Sequence, residues 1–165
     1  MLKQKIKQDL KDALKGKRGV EVSTLRLVLA AILNKEKEKR SQIAKAEKEL
    51  GEERLVERSQ LTDEETVQVL LSEVKKRKEA ILDFERGERL DLAEGEKAEI
   101  EILQKYLPEQ LPKQEIEKLA RGVISELGAE GPRDIGKVMS QMMPKVKGRV
   151  EGSVVSEVVK NLLTN

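Results

Sequence analysis

The 165-residue chain is 38% hydrophobic and 39% charged, more polar than an average globular domain. It has no Cys, His or Trp, one Tyr and one Phe, which excludes disulfides, thiolate nucleophiles, ordinary zinc or copper sites, a histidine general base and a multi-ring platform for stacking bases. The net charge of +2 hides a basic stretch at residues 1–40 (12 basic, 5 acidic), an acidic one at 41–132 (15 basic, 23 acidic) and a basic one at 133–165 (6 basic, 3 acidic).

Apolar residues recur at helical spacing almost everywhere and alternate almost nowhere, so the chain is predicted all-α. Leu2, Ile6, Leu10, Ala13 and Leu14 form the first stripe, closed by Lys15-Gly16-Lys17-Arg18-Gly19, the basic and glycine-rich end that a helix prefers. A second helix is predicted from Ser23, burying Leu25, Val28, Leu29, Ile32 and Leu33. No apolar residue occurs between Asn34 and Gln42. The helix is therefore expected to continue through 34–50 but to leave the core, with Glu36 and Arg40 paired at i,i+4; a disordered insertion over 34–60 is the alternative. Thr62-Asp63-Glu64-Glu65 reads as a capping box. It opens a third helix bearing Val67, Leu70, Leu71, Val74, Ile81 and Leu82 and closing at Arg86-Gly87. Asp91 is the expected cap of a fourth, bearing Ala93, Ile100, Leu103 and Leu107.

Pro108 and Pro112 bracket Glu109-Gln110-Leu111, and the residue before each proline is pushed out of helical conformation. This places a packed linker at 108–112 between an N-terminal helical domain, 1–107, and a small C-terminal domain, 113–165. Three short helices are predicted in the latter. The first carries Ile116, Leu119, Ala120, Val123, Ile124 and Leu127 and stops at Gly128. The second starts at Gly131-Pro132, carries Ile135, Val138, Met139 and Met142, and is broken by Pro144. The third is capped by Ser153 and buries Val154, Val155, Val158, Val159, Leu162 and Leu163. The architecture expected is an N-terminal helical hairpin or bundle with a long, partly protruding helix, followed by a three-helix domain.

Carboxylates are abundant, but the capping box accounts for the densest cluster and the others fall on exposed faces. No strand precedes a glycine-rich phosphate loop, and Ser72, although next to Glu73, has no His or convincing Lys base and is not a nucleophile candidate. No catalytic residue, metal site or cofactor is assigned. One stretch stands apart: between Ile135 and Val150 lie Lys137, Lys145, Lys147 and Arg149 and no acid. Gly148 permits a tight turn between two of the bases, and Ser153 follows at a predicted helix N-terminus, where free amides favour an anion. A phosphate-contact site and a merely solvated basic loop both fit this pattern. Lys3, Lys7, Lys11 and Lys15 recur every fourth residue and form a secondary basic face with the same two readings.

These residues also carry a resemblance. Gly136-Lys137-Val138-Met139, then Pro144-Lys145-Val146-Lys147-Gly148-Arg149, then Gly152 resemble the C-terminal hallmark of the GatB/YqeY family. Tyr106-Leu107-Pro108-Glu109-Gln110-Leu111 resembles that family's linker. Thr24-Leu25-Arg26-Leu27, Leu61-Thr62-Asp63-Glu64-Glu65 and Glu73-Val74-Lys75-Lys76-Arg77-Lys78 resemble its stand-alone YqeY-like members. The chain departs from the pattern at Glu151, where Asp is usual, at Ser156, where Asn is usual, and in a longer segment over 36–59. The resemblance implies an all-helical protein similar to the tail of the B subunit of the tRNA-dependent amidotransferase, a tail that contributes to tRNA recognition while the chemistry lies elsewhere. It therefore implies a tRNA-binding accessory module without catalysis of its own. A module docking on an amidotransferase or another translation protein is the alternative. Carbon–nitrogen ligase activity with glutamine as amido-N-donor is a third, suggested by kinship alone. No apolar run nears the roughly 20 residues of a membrane span and the opening residues lack a signal-peptide core, so no membrane association and a cytoplasmic location are expected.

Overall fold

In the computed structural model, residues 1–164 are described, and every regular element among them is helical. The chain divides into two compact units, Met1–Tyr106 and the remainder from Leu107 onward.

The first unit comprises α1 (Leu2–Lys15), α2 (Gly19–Ala46), α3 (Glu52–Arg58), α4 (Asp63–Arg86) and α5 (Leu90–Gln104). α4 packs along α5, α1 packs along α2, and α2 also meets α3, α4 and α5. Ile6, Leu25, Ile32, Leu70 and Leu103 are fully buried where these helices converge. The capping box is formed at Thr62: its hydroxyl accepts the Glu65 amide at 3.1 Å, and its own amide donates to Glu65 Oε2 at 2.8 Å.

Several boundaries depart from the sequence pattern. α2 begins at Gly19 rather than Ser23, because the Arg18 carbonyl already accepts the Val22 amide at 3.0 Å. α5 begins at Leu90, with Arg89 before it. Asp91 is therefore not the cap; it lies in the first turn, held by Arg89 Nε and Nη2, each at 3.1 Å. Leu14, Leu33 and Leu82, assigned to buried stripes, are exposed at the margins of those stripes.

The largest departure lies in the polar stretch after Asn34. α2 leaves the core only beyond Arg40, because ion pairs replace apolar packing up to there. Glu36 is only 5% exposed. Its two carboxylate oxygens take Lys3 Nζ of α1 at 2.6 and 2.7 Å, and Oε1 also accepts the Leu61 amide at 3.4 Å. Its expected partner, Arg40, instead donates to Ser59 Oγ at 3.2 Å. Lys39 bridges to Glu65 of α4 at 2.8 Å. A second polar hub sits at Arg77, 6% exposed, which donates to Glu99 Oε2 through Nε and Nη2 at 2.9 and 2.8 Å and to Glu73 Oε2 at 3.0 Å. A buried guanidinium persists only when paired this fully.

The second unit comprises α6 (Lys113–Leu127), a 3₁₀ turn (Pro132–Asp134), α7 (Ile135–Val146) and α8 (Gly152–Thr164). α6, α7 and α8 each pack on the other two, around Ile116, Val123, Val138, Met142, Val155 and Val159. Pro144 does not break α7 but lies inside its last turn. Proline deletes one i→i−4 hydrogen bond; only two residues follow before the helix ends, and the fully buried Met142 and Val146 hold that turn on the core.

Candidate nucleic-acid interface

The basic loop is built by alternation. Lys145, Lys147 and Arg149 are exposed, while Val146, Gly148 and Val150 between them are buried. Val146 is 0% and Val150 7% exposed, and both belong to the core of the second unit. Two valines thus anchor the loop from beneath, and each basic side chain is turned outward by its neighbours.

The turn itself demands the glycine. The Arg149 amide donates to the Val146 carbonyl at 3.0 Å. Lys147 has φ −54° and ψ 126°, and Gly148 has φ +79°. These are the values of a type II turn, whose third residue needs positive φ. The bracketed segment before α6 clamps the same turn. The Leu111 amide donates to the Arg149 carbonyl at 3.0 Å, and Arg149 Nε donates to the Glu109 carbonyl at 3.2 Å. Residues 108–112 are thus bonded to the loop.

The structure brings Lys145, Lys147, Gly148 and Arg149 together. Lys145 faces Glu126 at 3.6 Å, both side chains being well exposed, a pair of little net strength. Lys137 stands eight residues up α7, about 12 Å along the axis, and pairs with Asp134 at 3.2 Å. Ser153 is the second residue of α8 rather than its cap. The Glu151 carbonyl accepts the amides of Val154 and Val155 at 3.0 and 3.3 Å. Glu151 precedes the helix and brings a negative charge to the end where the sequence pattern invites an anion; a carboxylate there satisfies the helix dipole itself.

The secondary face is shorter than its spacing implies. Lys3 is engaged with Glu36, while Lys7, Lys11 and Lys15 are exposed at intervals of about 6 Å. Lys5 lies over the Tyr106 ring, 5.7 Å from its centroid. The Tyr106 hydroxyl donates to Asp9 Oδ2 at 2.7 Å; burial first, and then that carboxylate, push its pKa up. The large groove of the first unit, about 930 Å³, runs between α2 and α4 over Leu27, Ala31 and Val69. Its rim carries Lys35–Glu38, Lys39–Glu65 and Lys76–Glu73 pairs, a charge-balanced border with no pull on a polyanion.

Sequence reasoning finds the bases but misses the alternation that aims them. The signal is present in Val146, Gly148 and Val150. It is easily overlooked because the period of two is only six residues long and begins inside the last turn of α7.

The family model described as Yqey-like protein matches residues 34–163, which include the capping box, the linker and the whole basic turn. The chain belongs to the YqeY-like family. Over 162 residues it is 27% identical to the altered inheritance of mitochondria protein 41 of Pyrenophora tritici-repentis, covering 96% of this chain and 79% of that protein. Over 48 residues it is 50% identical to an uncharacterized protein of Schizosaccharomyces pombe, covering 29% of this chain and 39% of the other. Over 69 residues it is 35% identical to a subunit of the glutamyl-tRNA(Gln) amidotransferase of Saccharolobus solfataricus, covering 39% of this chain but only 11% of that protein. Sequence kinship of this YqeY-like chain to an amidotransferase subunit is thereby supported over that stretch. No helix among its described residues is long and apolar enough to cross a membrane.

Proposed function

We propose that the chain is a non-catalytic, tRNA-binding accessory module that meets the phosphate backbone through Lys145, Lys147 and Arg149. The observation that carries this is the type II turn at Gly148. It holds Lys147 and Arg149 outward, beside Lys145 in the last turn of α7, on a loop pinned by Val146 and Val150 and clamped by Leu111. A preordered cationic loop binds phosphate without the entropy cost of ordering it. The partial likeness to a tRNA amidotransferase subunit supports tRNA as the polyanion. The chain offers neither His nor Cys, which supports recognition rather than chemistry. We place this role in the cytoplasm; the Pyrenophora relative is itself named as mitochondrial.

Phosphate contacts position a protein without reading sequence. The variant Lys145→Ala/Lys147→Ala/Arg149→Ala is therefore expected to weaken binding about equally across tRNAs. It should also flatten the slope of log affinity against log salt by roughly two to three, at about 0.7–0.9 for each phosphate no longer neutralised. A salt titration of wild type and variant, with circular dichroism to establish folding, measures this. An unchanged slope in a folded variant moves the site elsewhere.

A second reading, docking on an amidotransferase or another translation protein, rests on the α2–α4 groove, where Leu27 is exposed beside Ala30 and Ala31. A Leu27→Glu variant that keeps tRNA affinity but loses a co-purifying translation protein would favour it.

A further inference from the structure

We infer that a second cleft, between α6 and α8, takes two phosphates of the same RNA strand as a continuation of the basic turn; this rests on the RNA-binding reading above. Lys113, Glu117 and Arg121 line one wall at intervals of four, and Val158, Asn161 and Leu162 line the other, around about 340 Å³. Lys113 and Arg121 are exposed. Neither has an ion pair or hydrogen bond among the described residues, unlike most of the cations on α4 and α7.

The cleft adjoins the turn. Lys113 opens α6 directly after Pro112, and Leu111 before it is bonded to Arg149. A strand leaving Arg149 therefore meets Lys113 next. Arg121 lies about 12 Å further along α6. Glu117, half-buried between the two cations, would repel one anion seated midway. Two separate phosphates, one at Lys113 and one at Arg121, stand about 6 Å to either side of it and are repelled less. Lys113 lies in the first turn of α6, where the helix dipole favours negative charge. The Arg121 guanidinium can take a phosphate through two parallel N–H donors, and the Asn161 amide supplies further donors.

The test is a salt titration of a single in vitro transcribed tRNA against the full chain, with three variants beside wild type. Lys113→Gln/Arg121→Gln is expected to lower affinity and flatten the log–log salt slope by about 1.4–1.8, the amount due to two phosphates. Glu117→Gln is expected to tighten binding about three- to tenfold, the repulsion of one or both phosphates at about 6 Å in water; a gain of affinity cannot come from misfolding. The turn variant is the reference. If it loses affinity while the Lys113/Arg121 variant keeps both affinity and slope, the cleft is overturned and the turn stands. If the cleft variant alone loses affinity, the cleft stands and the turn is overturned. If wild type binds no tRNA, both fall. A Glu117→Gln variant no tighter than wild type also counts against the cleft.

Discussion

Three helices end in the same chain reversal, with different residues at the point of strain. After α1 the Arg18 amide reaches back to the Ala13 carbonyl at 3.1 Å; after α4 Arg89 reaches Phe84 at 2.9 Å; after α6 Ala129 reaches Ile124 at 3.0 Å. This is the Schellman arrangement, which puts the residue just before the closing amide in left-handed conformation. At α6 that residue is Gly128, with φ +58°. At α1 and α4 it is Lys17, φ +52°, and Glu88, φ +56°, each one position past a glycine. A side chain there costs about 1–2 kcal/mol, partly offset by the greater unfolded-state entropy of glycine. Lys17→Gly and Glu88→Gly are each expected to stabilise the chain by about 0.5–1 kcal/mol in urea unfolding. Gly148→Ala is expected to do the reverse, costing roughly 1 kcal/mol or more, because the type II turn needs positive φ at a buried position. Affinity for tRNA should fall with it, since the turn aims Lys147 and Arg149.

At the scale of elements, ion pairs do what apolar stripes do elsewhere. α2 is tied to α1 by Lys3–Glu36 and to α4 by Lys39–Glu65, and α4 to α5 by Arg77–Glu99. The Lys39 hydrogen bond, and next the Thr62 amide, hold the Glu65 carboxyl below its ordinary 4.5. At Glu73 burial pushes upward, but Lys76 and Arg77 together outweigh it and the pKa is again lowered. A carboxyl with a lower pKa folded than unfolded contributes stability above its unfolded value, and that stability is lost as pH falls through the folded one. The first unit is therefore expected to lose stability below about pH 4.5 and to be unaffected by these groups near neutrality. Urea midpoints between about pH 7 and about pH 2.5 measure this, and Glu65→Gln with Glu73→Gln should blunt the acid limb. An acid limb unchanged in the double variant would show that these pairs do not set it. The same pairs explain why the apolar pattern misplaces residues 34–40. Periodicity registers apolar residues only, and Glu36 and Lys39 hold their helix in place through partners on other helices, Lys3 and Glu65.

At the scale of the whole molecule, the linker motif is divided between the units. Tyr106 is bonded to Asp9 within the first, and Leu111 is buried in the core of the second. We expect residues 107–165 to fold alone as a three-helix unit. Limited proteolysis should cut first in the connection between α2 and α3, around residues 47–51, and then near 87–89. Residues 108–112 should resist better than their two prolines imply, because Glu109 and Leu111 are bonded to Arg149. Early cleavage within 116–127 or 153–163 would contradict this, as would a 107–165 fragment lacking cooperative unfolding.

The helical class, the capping box at Thr62 and the apolar faces of α6 to α8 were all legible in the order of residues alone. Each depends on residues within four or so positions of one another, where chain geometry dictates who meets whom. The basic composition of the loop from 145 to 149 was equally plain. Assembly of the helices was needed to settle which of those bases stand together, that Pro144 stays helical and that Lys3 is engaged with Glu36. Each of these depends on a partner far along the chain or on burial from a neighbouring helix. Electrostatic pairs and packing carry no period, so they become visible only once the helices are brought together.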